Sequence, residues 1–260
     1  MPRDATGTLT ISGMTETIGD APRLTAIRPP EYLARLPVAA LLLAADRFVV
    51  VDTFGFSRQS AHNRARIQTA AGPRWLSVPR RHTSSRHSDA APGARVAIGA
   101  LGVVDDGWRR RHVHAVRAAY GMAPYYDHYA PDLAALLAEA PPTLGALTVA
   151  AMRWAARRLD AACEIIVASE LSAAPATLPA VWDAVGGDVL LALPESAGRD
   201  AAALPGVDVR ELRFQEAPRR QVFKPFAPGC CLLDLLMNYG PRAADLLRQQ
   251  SAVGAYRREA

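Results

Sequence analysis

The side chains best suited to chemistry fall in a few short stretches of this 260-residue chain. The first is Ser57-Arg58-Gln59-Ser60-Ala61-His62-Asn63-Arg64-Ala65-Arg66. Arg64 and Arg66 stand two apart, so on an extended segment their guanidinium groups share a side. With His62 and Asn63 beside them, they suit the bidentate, charge-assisted capture of a phosphate or carboxylate. The competing reading is a solvated hairpin rim whose arginines pair with acids of the same chain. The second stretch is Trp108-Arg109-Arg110-Arg111-His112-Val113-His114-Ala115-Val116-Arg117-Ala118-Ala119-Tyr120. His112, Val116 and Tyr120 lie four apart and share one helix face. That face is apolar and should look inward. An imidazole there has a displaced pKa and suits a general base. The competing reading is a core histidine bonded to a backbone carbonyl.

Two further stretches add candidates. Pro124-Tyr125-Tyr126-Asp127-His128-Tyr129 gathers aromatic faces with polar tips, which suit ring-bearing ligands or simply staple two helices. Asp234 and Asn238 stand four apart in an otherwise apolar helix and need partners if buried. Phe48-Val49-Val50-Val51-Asp52 reads as a buried parallel strand with an acid at its carboxyl end, where open α/β sheets bind ligands. The expectation is one concave site. His112 and at least one of Arg64 or Arg66 line it, Tyr125 or Tyr126 forms its wall, and Trp108 packs at its rim. Asp52, Asn63 or Asp234 would partner His112.

The elements needed to position these groups alternate between strand and helix. Strands are expected at Leu24–Ile27, Phe48–Asp52, Glu164–Ala168, Val189–Leu193 and Val207–Phe214, and a hairpin at 65–69 with 75–78. Helices are expected from Pro30, in a first turn with Glu31 against the dipole, to Ala40 with a kink or split at Pro37, and at 108–120, 130–138, 144–162, 178–185, 230–239 and 242–249. The fold class is therefore α/β, a mostly parallel sheet with helices on both faces and a helical C-terminal portion. Residues 1–21 read as a disordered leader and 22–260 as a single α/β unit, with a helical lobe from about residue 105. Residues 80–94 read as a loop.

Composition narrows the class further. Half the residues are hydrophobic and 21% are charged, enough apolar material for a large core. The net charge of +5 rests almost wholly on arginine, since Lys224 is the sole lysine. The excess is too scattered to argue for nucleic acid. Cys163, Cys230 and Cys231 match no zinc or redox spacing, and an odd count without a framework points to a reducing compartment, the cytoplasm. No apolar run is long enough to span a membrane. No metal site is expected, and neither a cofactor nor an oligomeric state is assigned.

In order along the chain, these segments resemble the WbqC-like family, named for bacterial O-antigen gene clusters. Pro29-Pro30-Glu31-Tyr32-Leu33 is similar to the family's opening segment. Ser57 through Ile67 resembles its Lys-x-Ser-aromatic-x-Asn-Arg-x-x-Ile signature. Gly72 through Pro79 resembles the strand that follows. Trp108 with His112, then Tyr120 and Ala123-Pro124-Tyr125-Tyr126, is similar to its Trp-x-x-x-His and Tyr-x-x-(Ala/Ser)-Pro-aromatic-aromatic pattern. Asp234-Leu235-Leu236-Met237-Asn238-Tyr239-Gly240-Pro241 resembles its closing Asp-Leu-Leu-x-Asn-x-Gly-Pro. Any one of these would be weak; their order over residues 24–248 is specific. The resemblance implies tailoring of a bacterial glycan or small-molecule precursor, as a transferase using a phosphate-bearing sugar donor or an acyl donor. On that reading His112, Asp52 and Asp234 are catalytic. His62, Asn63, Arg64, Arg66, Trp108, Tyr120, Tyr125, Tyr126 and Asn238 bind substrate. The alternative is a non-catalytic binding or scaffolding protein of a biosynthetic cluster. Departures from the family pattern include Ala61 where relatives carry an aromatic, and Thr53-Phe54-Gly55 after Asp52 where many carry a second acid and a glutamine.

Overall fold

The computed structural model describes residues 21–81, 95–139 and 141–257. The expected leader, apart from Ala21, and nearly all of the expected 80–94 loop lie outside the described residues. Six strands form one sheet in the order β5(Glu164–Val167), β2(Arg47–Val50), β1(Leu24–Arg28), β6(Val189–Ala192), β7(Asp208–Phe214), β8(Ser251–Ala255). All pairings are parallel except β7 with β8. The hairpin β3(Arg64–Thr69)–β4(Gly72–Ser77) stands apart as its own two-stranded sheet.

Both faces of the main sheet are covered, and the period of two along each strand shows it. Ala26, Phe48, Val50 and Leu191 join the larger core with α1(Leu36–Ala44), α4(Leu144–Arg158), α7(Leu232–Tyr239) and α8(Ala243–Gln249). Their neighbours Ile27, Val49, Val51, Leu190 and Ala192 pack the other way, onto α5(Leu178–Val185) and α6(Pro194–Ala203). Buried parallel strands read as unbroken apolar runs for this reason. The helical portion, α2(Trp108–Tyr120), α3(Tyr126–Ala138) and α4, is inserted between the hairpin and β5.

Several boundaries differ from expectation for local reasons. The first helix starts at Leu36, with Pro37 in its first turn, where a missing N–H costs nothing. Pro37 therefore opens the helix instead of kinking it. Pro29 and Pro30 stay outside it, and Leu33 takes φ 53° in the turn between. The third helix begins at Tyr126, earlier than expected, and carries Pro131 inside its length. The α6 helix and the edge strand β8 were not anticipated. The N-cap of α2 is Gly107, at φ 81°, and Asp106 just before it accepts from the Trp108 N–H at 3.1 Å.

Candidate functional site

Strand order turns at β1. From β1 the chain moves to β2 on one side, and β6 lies on the other. Ligands of open α/β sheets bind in the crevice at such a switch point, beyond the carboxyl ends of the strands. A cleft of about 610 Å³ opens there. Arg28 and Pro29 enter it from the end of β1, Phe54 and Gly55 from beyond β2, and Glu195 and Ser196 from the first turn of α6. Its walls also carry Glu31, Arg35, His62, Arg95, Arg199 and Asp200. Leu178 and Pro179 supply an apolar side.

Backbone pairing brings His62 to this cleft. The Tyr32 N–H donates to the Ala61 carbonyl at 3.1 Å, and His62 Nδ1 lies 3.0 Å from the Pro30 carbonyl. A carbonyl can only accept, so Nδ1 carries the hydrogen and Nε2 keeps its lone pair. Phe56 packs on the ring at 5.7 Å between centroids and is itself covered by the Arg80 guanidinium. Burial pushes the His62 pKa below its usual value, against an opposing contribution from the Pro30 hydrogen bond. The neutral ring is thus the form present at pH 7.

The charges are arranged unevenly. Glu31 is buried and tightly held: it accepts from Arg35 Nε at 2.8 Å and from the Arg35 backbone N–H at 3.0 Å, and pairs with the guanidinium at 2.7 Å. Arg28, only 11% exposed, donates to Ser196 Oγ at 2.9 Å and meets Glu195 more loosely, at 3.3 Å. Arg199 pairs with Asp200. Arg95 has no ion-pair partner among the described residues. A β-bridge between Gly55 and Ala97 carries Arg95 to the cleft, and a Cβ on Gly55 would stand 2.7 Å from Arg95 Cβ. Only glycine leaves room there.

The other sequence-derived candidates are distributed elsewhere. His112 is buried. Its Nδ1 meets the Tyr32 hydroxyl at 2.9 Å, and its ring stacks edge-on against Trp108 with centroids 5.0 Å apart. Burial lowers its pKa to about 4, although a backbone hydrogen bond with Ser77 works the other way. Its partners are therefore Tyr32 and Ser77, not Asp52, Asn63 or Asp234. Trp108 is buried beside it, packed edge-on to Tyr32 as well. Arg64 donates to the carbonyls of Ser60 and Gln59 and lies over the Trp75 ring at 4.6 Å. Arg66 donates to the Pro228 carbonyl at 3.1 Å. Asn63 donates to the Val78 carbonyl across the hairpin base. Asp52 accepts from the Ser169 N–H and hydroxyl, at 3.0 and 2.7 Å, and lines a different hollow. Asp234 is fully buried and accepts from Arg219 and Gln221, each at 2.9 Å. Burial raises its pKa, opposed by those same two partners. Tyr120, buried, receives the Gln68 N–H at 3.3 Å. Tyr125 covers Gly240, where a Cβ would come within 2.4 Å of the ring, and Tyr126 is half-buried beside it. Asn238 donates to the Asp234 carbonyl and edges a third hollow. Of all these residues, His62 is the one that lines the switch-point cleft.

A family model for WbqC-like proteins matches residues 30–246. The chain belongs to the WbqC-like protein family. This WbqC-like chain is 23% identical over 234 residues to the Uncharacterized protein Rv1507c of Mycobacterium tuberculosis, a match covering 80% of this chain and 90% of that one. No solved structure matches it. Arg28, at the end of β1, lies just outside the matched range, whereas Glu31, Arg35, His62, Glu195 and Arg199 lie within it. Among the described residues no group of three histidine, cysteine or acidic side chains is placed to hold a metal ion, and no helix is long and apolar enough to cross a membrane.

Sequence reasoning missed Arg28, Arg35, Arg95, Glu195, Ser196 and Arg199. A signal existed in Leu190-Leu191-Ala192-Leu193-Pro194-Glu195-Ser196: a buried strand followed at once by proline and an acid, the pattern of a helix start at a strand's carboxyl end.

Proposed function

We propose that this WbqC-like protein is a transferase that holds an anionic donor, a phosphate-bearing sugar or an acyl carrier, in the switch-point cleft. His62 acts on the acceptor as general base. The carrying observation is His62 itself, a neutral imidazole in the cleft with Nδ1 fixed on Pro30 and Nε2 left as acceptor. In the proposed step Nε2 takes the proton of an acceptor hydroxyl or amine. The acceptor heteroatom bonds to the donor's sugar or acyl carbon, and the bond to the leaving phosphate or thiolate breaks with its electron pair. Arginine on the cleft wall stabilises the departing negative charge, an effect that is strong in a partly desolvated site. His112 then has a positioning role: with Tyr32 and Trp108 it braces the 30–33 turn on which His62 rests.

The test is transfer from nucleotide sugars and acyl-CoA to hydroxyl and amine acceptors, read as released nucleotide or free thiol. His62→Ala should lower turnover by about 10²–10⁴-fold, the usual contribution of general-base catalysis. Unchanged turnover in a folded His62→Ala protein would refute the role. A second reading, a non-catalytic binding protein, draws on one observation: Arg28, Arg35 and Arg199 all have internal carboxylate partners. It predicts ligand binding without release of any product.

A further inference from the structure

The cleft arginines differ in how firmly they are held, and the difference identifies the position of the ligand's charge. Arg35 is locked to Glu31 by contacts of 2.7 and 2.8 Å. Glu195 is another kind of partner. A single oxygen, Oε1, serves both Arg28 at 3.3 Å and Arg35 at 3.5 Å. Its side chain is 52% exposed, so water competes for it at little cost. Arg28 beneath it is almost buried and has no other acid partner among the described residues. Desolvating a guanidinium is expensive, and a loose, half-exposed carboxylate compensates it poorly. The same spot lies at the first turn of α6, whose dipole favours an anion. Ser196 Oγ, also in that turn, already accepts from Arg28 and fixes the fork's direction.

We propose that Arg28 and Arg35 form the anion subsite of the cleft, and that Glu195 is its resident stand-in, displaced when a substrate phosphate or carboxylate arrives. Two guanidinium forks facing one oxygen can offer a tetrahedral or planar oxyanion more hydrogen bonds than Glu195 takes up. Glu195 thereby sets specificity. Weakly charged groups do not displace it, and a group able to use both forks does. The inference rests on the donor reading given above and adds the place where the donor's charge is held.

Isothermal titration of the full chain with inorganic phosphate, and in parallel with acetate, tests this, with the ring resonances of His62 as a local reporter. Glu195→Gln should bind anions about fivefold more tightly than the parent, the worth of one half-exposed ion pair of about 1 kcal/mol. Adding Arg28→Gln or Arg35→Ala to Glu195→Gln should remove that gain; two separate variants guard against one failing to fold. A larger gain for phosphate than for acetate marks a phosphate donor, and the reverse marks a carboxylate ligand. If Glu195→Gln binds phosphate and acetate equally or less well than the parent while the His62 resonances still respond, the stand-in role is wrong and the donor reading survives on Arg95 and Arg199. If neither protein binds either anion and the His62 resonances stay fixed, the anionic-donor reading fails with it.

Discussion

Acid should weaken this fold through His112, by an amount the structure sets. The unfolded ring takes up a proton near pH 6.5, the folded ring only near 4, because burial disfavours the charged form. Between those values acid binds the unfolded chain preferentially. Stability is therefore complete above about pH 6.5, declines as pH falls, and levels off below about 4. Two and a half pH units at 1.36 kcal/mol each give a loss of about 3 kcal/mol. His112 as a residue is 6% exposed, so solvent screening does little to reduce this. Against a typical total of about 5–15 kcal/mol the effect is large. His62 is shifted in the same direction and adds a slope of the same sign. The His112→Asn variant isolates the contribution, since its amide oxygen can still accept from Tyr32 but does not titrate. Urea unfolding at half-unit steps from pH 8 to 4 measures it. The parent should lose about 3 kcal/mol more than His112→Asn over that range. Parallel curves for the two proteins would refute the reasoning, because His112 would then titrate alike in the folded and unfolded chains.

Three other outcomes are expected. Asp234→Ala strands the nearly buried Arg219 guanidinium, 5% exposed, with Glu216 as its remaining acid partner, and should cost about 3 kcal/mol in thermal or urea unfolding. Gly55→Ala should cost stability in urea unfolding, because the new Cβ would stand 2.7 Å from Arg95 Cβ and the backbone must give, and it should displace Arg95 and weaken phosphate binding in calorimetry; equal affinity would mean that Arg95 does not face the ligand. Arg64→Ala removes a guanidinium lying over the exposed Trp75 ring and should cost only about 0.5–1 kcal/mol, with phosphate affinity unaltered.

Much of the fold was legible because buried parallel strands announce themselves as apolar runs. Phe48–Val51 and Val189–Leu193 needed nothing beyond that. The α2 helix was legible from its four-residue spacing and the acids before it, and His112 enters the core as its face required. The site was harder. Arg64 and Arg66 do share a side of a strand, but their hydrogens go to carbonyls of the Ser57–Ser60 turn and the Pro228 loop, contacts 162 residues apart in one case, which no local pattern reveals. Strand order is equally invisible in sequence. Only once β6 lies beside β1 do Arg28 and Glu195, 167 residues apart, face each other. The α6 helix, Pro-Glu-Ser-Ala-Gly-Arg-Asp-Ala-Ala-Ala, hides behind a serine and a glycine of modest helix propensity, yet it carries one wall of the cleft.

On this reading ligand chemistry belongs to the switch-point cleft, and the His112 cluster is a brace. A crystal structure after soaking with nucleotide sugars and acyl-CoA tests it most directly. Donor density is expected between Arg28 and His62, its charged group within hydrogen-bond distance of Arg28 and Arg35, and Glu195 turned away. Donor density beside His112, or over Arg64 and Arg66, with the cleft empty in every soak, would contradict it.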